Sequence, residues 1–187
     1  MNNNCTKKSN NNYIKLILYF FVFSFTGWLL ETAYCYSQIG RYIKRGFLYG
    51  PICPIYGFGA LILIIFLSKY KKKSFKLFIT AAIVCSIFEY FVGYILDAVF
   101  TLKWWDYSSE FLNLNGRISI LFSFSWGIIA IIFINHAFPF IEKHLSCILN
   151  KLSLKRQYLL SFTLIFLLLT DLIFSCIKYI HLPSIIV

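Results

Sequence analysis

Residues 45–59 read R-G-F-L-Y-G-P-I-C-P-I-Y-G-F-G, and they hold four of the nine glycines and two of the four prolines in the chain. Pro51 and Pro54 push the residues before them, Gly50 and Cys53, out of the α region, so no helix runs straight through. Gly46 and Gly50 permit positive φ on the way in. Pro54 suits the first turn of a new helix, where its missing N–H costs nothing. The stretch is therefore a shaped connector between two apolar segments. At membrane depth, irregular backbone is tolerated only where protein or a water-filled cavity covers it, so the connector is a candidate site as well as a candidate structural turn.

The sequence around it is strongly apolar. Of 187 residues, 59% are hydrophobic, 20% aromatic and only 13% charged, with a mean hydropathy of +0.73, well outside the soluble range. The fold class this implies is all-α: a polytopic transmembrane helix bundle of about five spans, with the Gly/Pro connector between the first and second. Crossing the roughly 30 Å hydrocarbon layer takes about 20 helical residues, and the spans are read at 13–36, 54–68, 77–100, 117–138 and 158–180, the fourth closed by Pro139. Residues 1–12 are Asn-rich and polar and are expected to be disordered, leaving 13–187 as a single transmembrane domain. Residues 140–157 alternate charge with Leu and Ile, as an interfacial amphipathic segment does.

The net charge of +11 does not point to nucleic acid, because the basic residues lie in loops between spans and form no basic domain able to fold alone. Twelve of the eighteen Lys and Arg fall on the side of the N-terminus and of the second and fourth loops. The positive-inside rule then places the N-terminus in the cytoplasm and the C-terminus outside, in a bacterial cytoplasmic (inner) membrane. The six cysteines are scattered without a C-x-x-C pair, so neither a disulfide framework nor a metal site is expected, and no cofactor is indicated. The chain contains no G-x-x-x-x-G-K-[ST] loop and no G-x-S-x-G elbow, and it is expected not to be an enzyme.

Four of the seven acidic residues, Glu31, Glu89, Asp97 and Asp171, fall within spans. Insertion scales put an acid at a helix centre at about 2.5–3.5 kcal/mol, so such residues persist when something compensates them. Arg45 and Arg117 lie on the same side of the membrane as these acids and are the natural partners. Glu89 and Asp97 are eight residues apart, about 80° around a helix, with Gly93 between them. One reading is structural, with the acids pairing to pin the bundle. The other is an outward-facing polar cavity whose substrate-binding candidates are Glu31, Arg45, Glu89, Asp97, Arg117 and, from the facing loop, Asp106. Asp106, Asn113 and Asn115 also suit turn formation in that loop, and Trp104, Trp105 and Tyr107 suit an interfacial belt. Asp171 is the weaker candidate, with a hydrogen bond to Thr170 or to a neighbouring span as its alternative.

The segments G-W-L-L-E-T (27–32), R-G-F-L-Y-G-P-I-C-P-I-Y-G-F-G (45–59), W-D-Y-S (105–108) and N-G-R-I (115–118), with an acid at Glu89, are together similar to the bacterial family labelled putative ABC-transporter permease, type IV. The resemblance covers about Gly27 to Gly127 and leaves the last span outside. It implies a membrane subunit that moves or binds a small solute or ion and works with a separate ATPase. The motif positions it implies are Glu31, Arg45, Gly50, Pro51, Pro54, Tyr56, Gly57, Gly59, Glu89, Trp105, Asp106, Tyr107, Asn115, Gly116 and Arg117. Besides the lipid bilayer, the candidate partners are that ATPase and a second copy of the chain. The alternative functions are a non-catalytic membrane scaffold or sensor, and an intramembrane enzyme using a carboxylate as general acid or base.

Overall fold

The computed structural model describes residues 12–181; all but the last of the N-terminal residues expected to be disordered lie outside that range. Helix α1 (Asn12–Ile39) is followed by the connector and by α2 (Pro54–Ile62), which runs on through a widened turn at Leu63–Leu67 and a tight one at Ser68–Tyr70. Then come α3 (Ser74–Phe100), a long loop with a two-stranded ribbon (β1 Asn113–Leu114, β2 Ile118–Ser119), α4 (Ile120–Ile132), α5 (Phe138–Lys151) and α6 (Leu154–His181). Four helices, Asn12–Ile39, Ser74–Phe100, Ile120–Lys151 and Leu154–Ile180, are long and apolar enough to cross a membrane, and Pro54–Tyr70 is a shorter apolar helix. This is an all-α, multi-pass membrane protein. Large side chains such as Phe66, Phe91, Phe124 and Phe162 stand exposed on the helix surfaces, as lipid-facing residues must.

The helix ends follow from local chemistry. Thr101, with φ 54°, closes α3 in the left-handed conformation and returns its N–H to the Asp97 carbonyl. Ser119 caps α4 by accepting from the Phe122 N–H at 3.5 Å. Pro139 does not close the fourth span. The chain passes it as one helical rod, because the turn Phe133–Ala137 is widened so that the Phe138 N–H reaches the Phe133 carbonyl five residues back. That extra residue takes up the hydrogen bond Pro139 cannot make and the clash its ring would cause. The segment read as interfacial, 140–157, is accordingly divided: α5 continues the fourth rod to Lys151, and α6 begins at Leu154. Gln157 seals the break by donating to the Leu149 and Leu152 carbonyls at 2.8 and 3.1 Å.

Packing is tightest where small residues let helices approach. Leu63, Leu67, Leu77, Ala81, Cys85, Ala130 and Ile134 form the core between α2, α3 and the fourth rod. A second cluster joins Tyr19, Phe23 and Ala60 to Phe133 and Phe138, and a third seats Leu149 on Ile14 and Leu18. Cys35, Cys53, Cys85 and Cys176 are free thiols, three of them buried as small hydrophobes.

Candidate functional site

The connector, residues 40–53, does not stay at the membrane surface. Gly40, at φ 73°, ends α1 by donating to the Tyr36 carbonyl, and Gly46, at φ 88°, turns the chain back toward the bundle. The chain then descends along α1 until the Cys53 N–H meets the Ser24 carbonyl at 3.0 Å. Ser24 lies fifteen residues before Ile39, so the connector reaches about 22 Å below the end of α1 at 1.5 Å per residue. The connector folds back along α1, and α2 begins inside the bundle. Gly27 and Gly57 make this possible: a side chain at Gly27 would strike the Tyr56 ring, and one at Gly57 would strike Ser24 and Phe20. Gly59, by contrast, has open space around it.

Two carboxylates hold the connector from opposite sides. Glu31 on α1 receives the Arg45 guanidinium at 3.0 Å and the Cys53 thiol at 3.5 Å. Asp171 on α6 accepts the backbone N–H groups of Tyr49 and Gly50 at 2.8 and 2.7 Å, with the Ser175 hydroxyl at 3.1 Å. A Cβ on Gly50 would lie 3.0 Å from the Asp171 carboxylate, so glycine there keeps the approach open. Asp171 therefore bonds to the connector itself.

The loop after α3 is built by its own polar side chains. Asp106 accepts from the Ser108 N–H and hydroxyl at 2.9 and 2.5 Å and pairs with Lys103 at 3.2 Å. The Ser108 hydrogen bonds, reinforced by Lys103, hold the Asp106 carboxyl below the usual carboxylate range. Asn115 and Gly116, at φ 55° and 67°, form the two-residue turn of a hairpin closed by the Arg117 N–H to the Leu114 carbonyl at 3.1 Å, the turn type that favours Asn-Gly. The hairpin aims Arg117 at Asp97, 2.6 Å away, with its guanidinium over the rings of Tyr90 and Tyr94. Trp105 donates to the Arg117 carbonyl at 3.0 Å and lies against Gly93.

Glu89, in the middle of α3, is only 5% exposed. Its two oxygens accept from the Tyr107 hydroxyl at 3.0 Å and the Trp126 indole N–H at 2.9 Å. Tyr107 is stacked on Phe122 with ring centres 4.2 Å apart. Tyr56 lies within electrostatic reach of Glu31, Cys53, Glu89 and Arg45, and Tyr107 within reach of Glu89, Tyr56 and Glu31.

The candidate residues thus fall into four groups. Glu31 with Arg45 forms one pair, and Glu89 is held separately by Tyr107 and Trp126. Asp97 and Arg117 form a separate pair further along α3 toward the loop, and Asp106 is exposed and engaged within its own loop. Trp126 escaped the sequence reading. The signal was available, because a Trp in mid-span rather than in the interfacial belt needs a buried partner for its N–H.

A family model described as putative ABC-transporter type IV matches residues 18–176. The chain belongs to that family. The match to the type IV family extends well beyond the stretch from Gly27 to Gly127 and takes in Asp171, so the last helix is part of the family fold rather than an appendage. No curated protein and no solved structure matched the chain.

Proposed function

We propose that this protein is the membrane-spanning, permease-like subunit of a transport system in the bacterial cytoplasmic membrane, and that it binds a small cation or a proton-bearing solute at Glu89. One observation carries the reading. Glu31 and Asp97 each face an arginine, whereas Glu89 is buried and held only by two neutral donors. Among the described residues, no Lys, Arg or His lies within 4.0 Å of it. A carboxylate buried in this way carries a charge that nothing offsets, and it is neutralised by taking up a proton or a cation.

The surroundings suit a gated site. The loop that carries Tyr107, pinned by Arg117 to Asp97, covers Glu89. Withdrawal of that loop would expose it. The chain does no ATP hydrolysis of its own. A separate ATPase drives it from the cytoplasmic side, where the N-terminus and the turns at 71–73 and 152–153 lie.

The test is cation binding by the full chain in proteoliposomes, across pH, with tryptophan fluorescence as the reporter. Glu89→Gln keeps the shape and the acceptor oxygen and removes the charge, so it should abolish the fluorescence response to the cation. An unchanged response would refute the assignment. The scaffold alternative draws on the saturation of Glu31, Asp97 and Asp171 by partners from other segments, and it expects Glu89→Gln to alter thermal stability alone.

A further inference from the structure

A cavity of about 660 Å³ lies between α1, the connector and α6, with Glu89 absent from its lining. Its walls are apolar: Phe21 from α1, Pro51 and Ile52 from the connector, and Leu164, Leu167 and Phe174 from α6. That volume is within the roughly 300–1,000 Å³ of typical small-molecule sites. Along α6 the groove runs from Leu164 to Phe174, about 15 Å at 1.5 Å per residue, which is about half of a 30 Å hydrocarbon layer. It has the length of one leaflet.

Two cations meet at the head of the groove. Lys44 from the connector and Lys178 from α6, one helical turn beyond Phe174, place their ammonium groups 4.8 and 5.1 Å from the centre of the same Tyr49 ring. Lys178 also lies 5.1 Å from the Tyr179 ring. Among the described residues, neither ammonium has a carboxylate within 4.0 Å. The nearby Asp171 already accepts from Tyr49, Gly50 and Ser175. Burial and the repulsion of Lys178 lower the affinity of Lys44 for its proton, so the pair is poised to gain from an anion.

We infer that this groove binds one anionic phospholipid, with the headgroup phosphate between Lys44 and Lys178 and an acyl chain along α6 against the connector. A like-charged pair that shares one aromatic ring is unfavourable alone and favourable around a phosphate, and the apolar channel below it is open to the bilayer on the same side. The site also explains two basic residues on the face that carries fewer of them. It borders Pro51 and Gly50, so an occupied groove braces the connector opposite Glu31.

The experiment uses the purified full chain in a non-ionic detergent, offered equal amounts of phosphatidylglycerol and phosphatidylcholine, with bound lipid read by native mass spectrometry. Wild type should retain phosphatidylglycerol preferentially. The double variant Lys44→Ala/Lys178→Ala should lose that preference by roughly thirtyfold, as two lysine–anion contacts of the usual size imply. Leu167→Trp fills the groove from an exposed position and should lose retention with both lysines intact. Equal retention of the two lipids by wild type overturns the inference, as does undiminished phosphatidylglycerol binding in the double variant. Inorganic phosphate that protects the lysines from acylation equally well in wild type and in Leu167→Trp would mean that a free anion suffices, and the lipid assignment would fall. None of these outcomes depends on Glu89.

Discussion

Replacing Asp171 by alanine should free the connector and leave the helices in place. The side chain receives two backbone N–H groups from Tyr49 and Gly50 at 2.8 and 2.7 Å. Hydrogen bonds to a charged group contribute about 1.5–3 kcal/mol each. Tyr49 is more than half exposed, so water replaces part of its bond, and the total comes to about 3 kcal/mol. If opening of the connector limits amide exchange, that corresponds to roughly a 100-fold acceleration. Hydrogen exchange followed by mass spectrometry reads it directly, in a peptide covering residues 45–53. Peptides from the middle of α1 and α3 should keep their wild-type rates, because the hydrogen bonds described for Asp171 go to the connector and to Ser175 of its own helix. Asp171→Asn, which keeps one acceptor oxygen, should fall between. Unchanged exchange in the connector would refute the reasoning, and so would equal loosening of the whole chain, which would make Asp171 part of the global core.

Gly27→Ala should lower thermal stability by about 1–3 kcal/mol, the usual cost of overpacking, since its methyl group would enter the space of the Tyr56 ring; the thermal midpoint in detergent measures this, and the same change at the open Gly59 should be far milder. A double-mutant cycle of Arg117→Ala and Asp97→Ala should give a coupling of about 1–2 kcal/mol, between the values for exposed and buried pairs, and a coupling of zero would mean that the 2.6 Å pair contributes only position. Asp106 sets a pH dependence. Its folded carboxyl titrates below its usual value, so its support of the loop is fully present above about pH 4 and is lost as pH falls through the depressed folded value. Trp104 and Trp105 fluorescence should follow that acid transition, and Asp106→Asn should abolish it.

Local chemistry alone settled much of this protein. Apolar runs of spanning length dictate a helical membrane bundle, because the bilayer offers backbone groups no other partner. The prolines and glycines of residues 45–59 dictate a break, and Asn113 and Asn115 suit the turn in the loop after α3. The cost of acids in spans points to Arg45 and Arg117 as partners, and each arginine pairs with one of those acids.

Tertiary structure decided the rest. Pro139 reads as a stop, yet a single widened turn absorbs it, because the energy of burying Phe133, Ile134 and Phe138 favours a continuous rod. Local sequence implies that the connector is irregular but not how deep it goes; the depth comes from one backbone hydrogen bond to Ser24 and from glycines on two different helices meeting side chains across the gap. Glu89 looked like one acid among four. Its distinction lies in having two neutral partners, Tyr107 and Trp126, eighteen and thirty-seven residues away, and such long-range contacts are set by how helices pack, which no local pattern encodes.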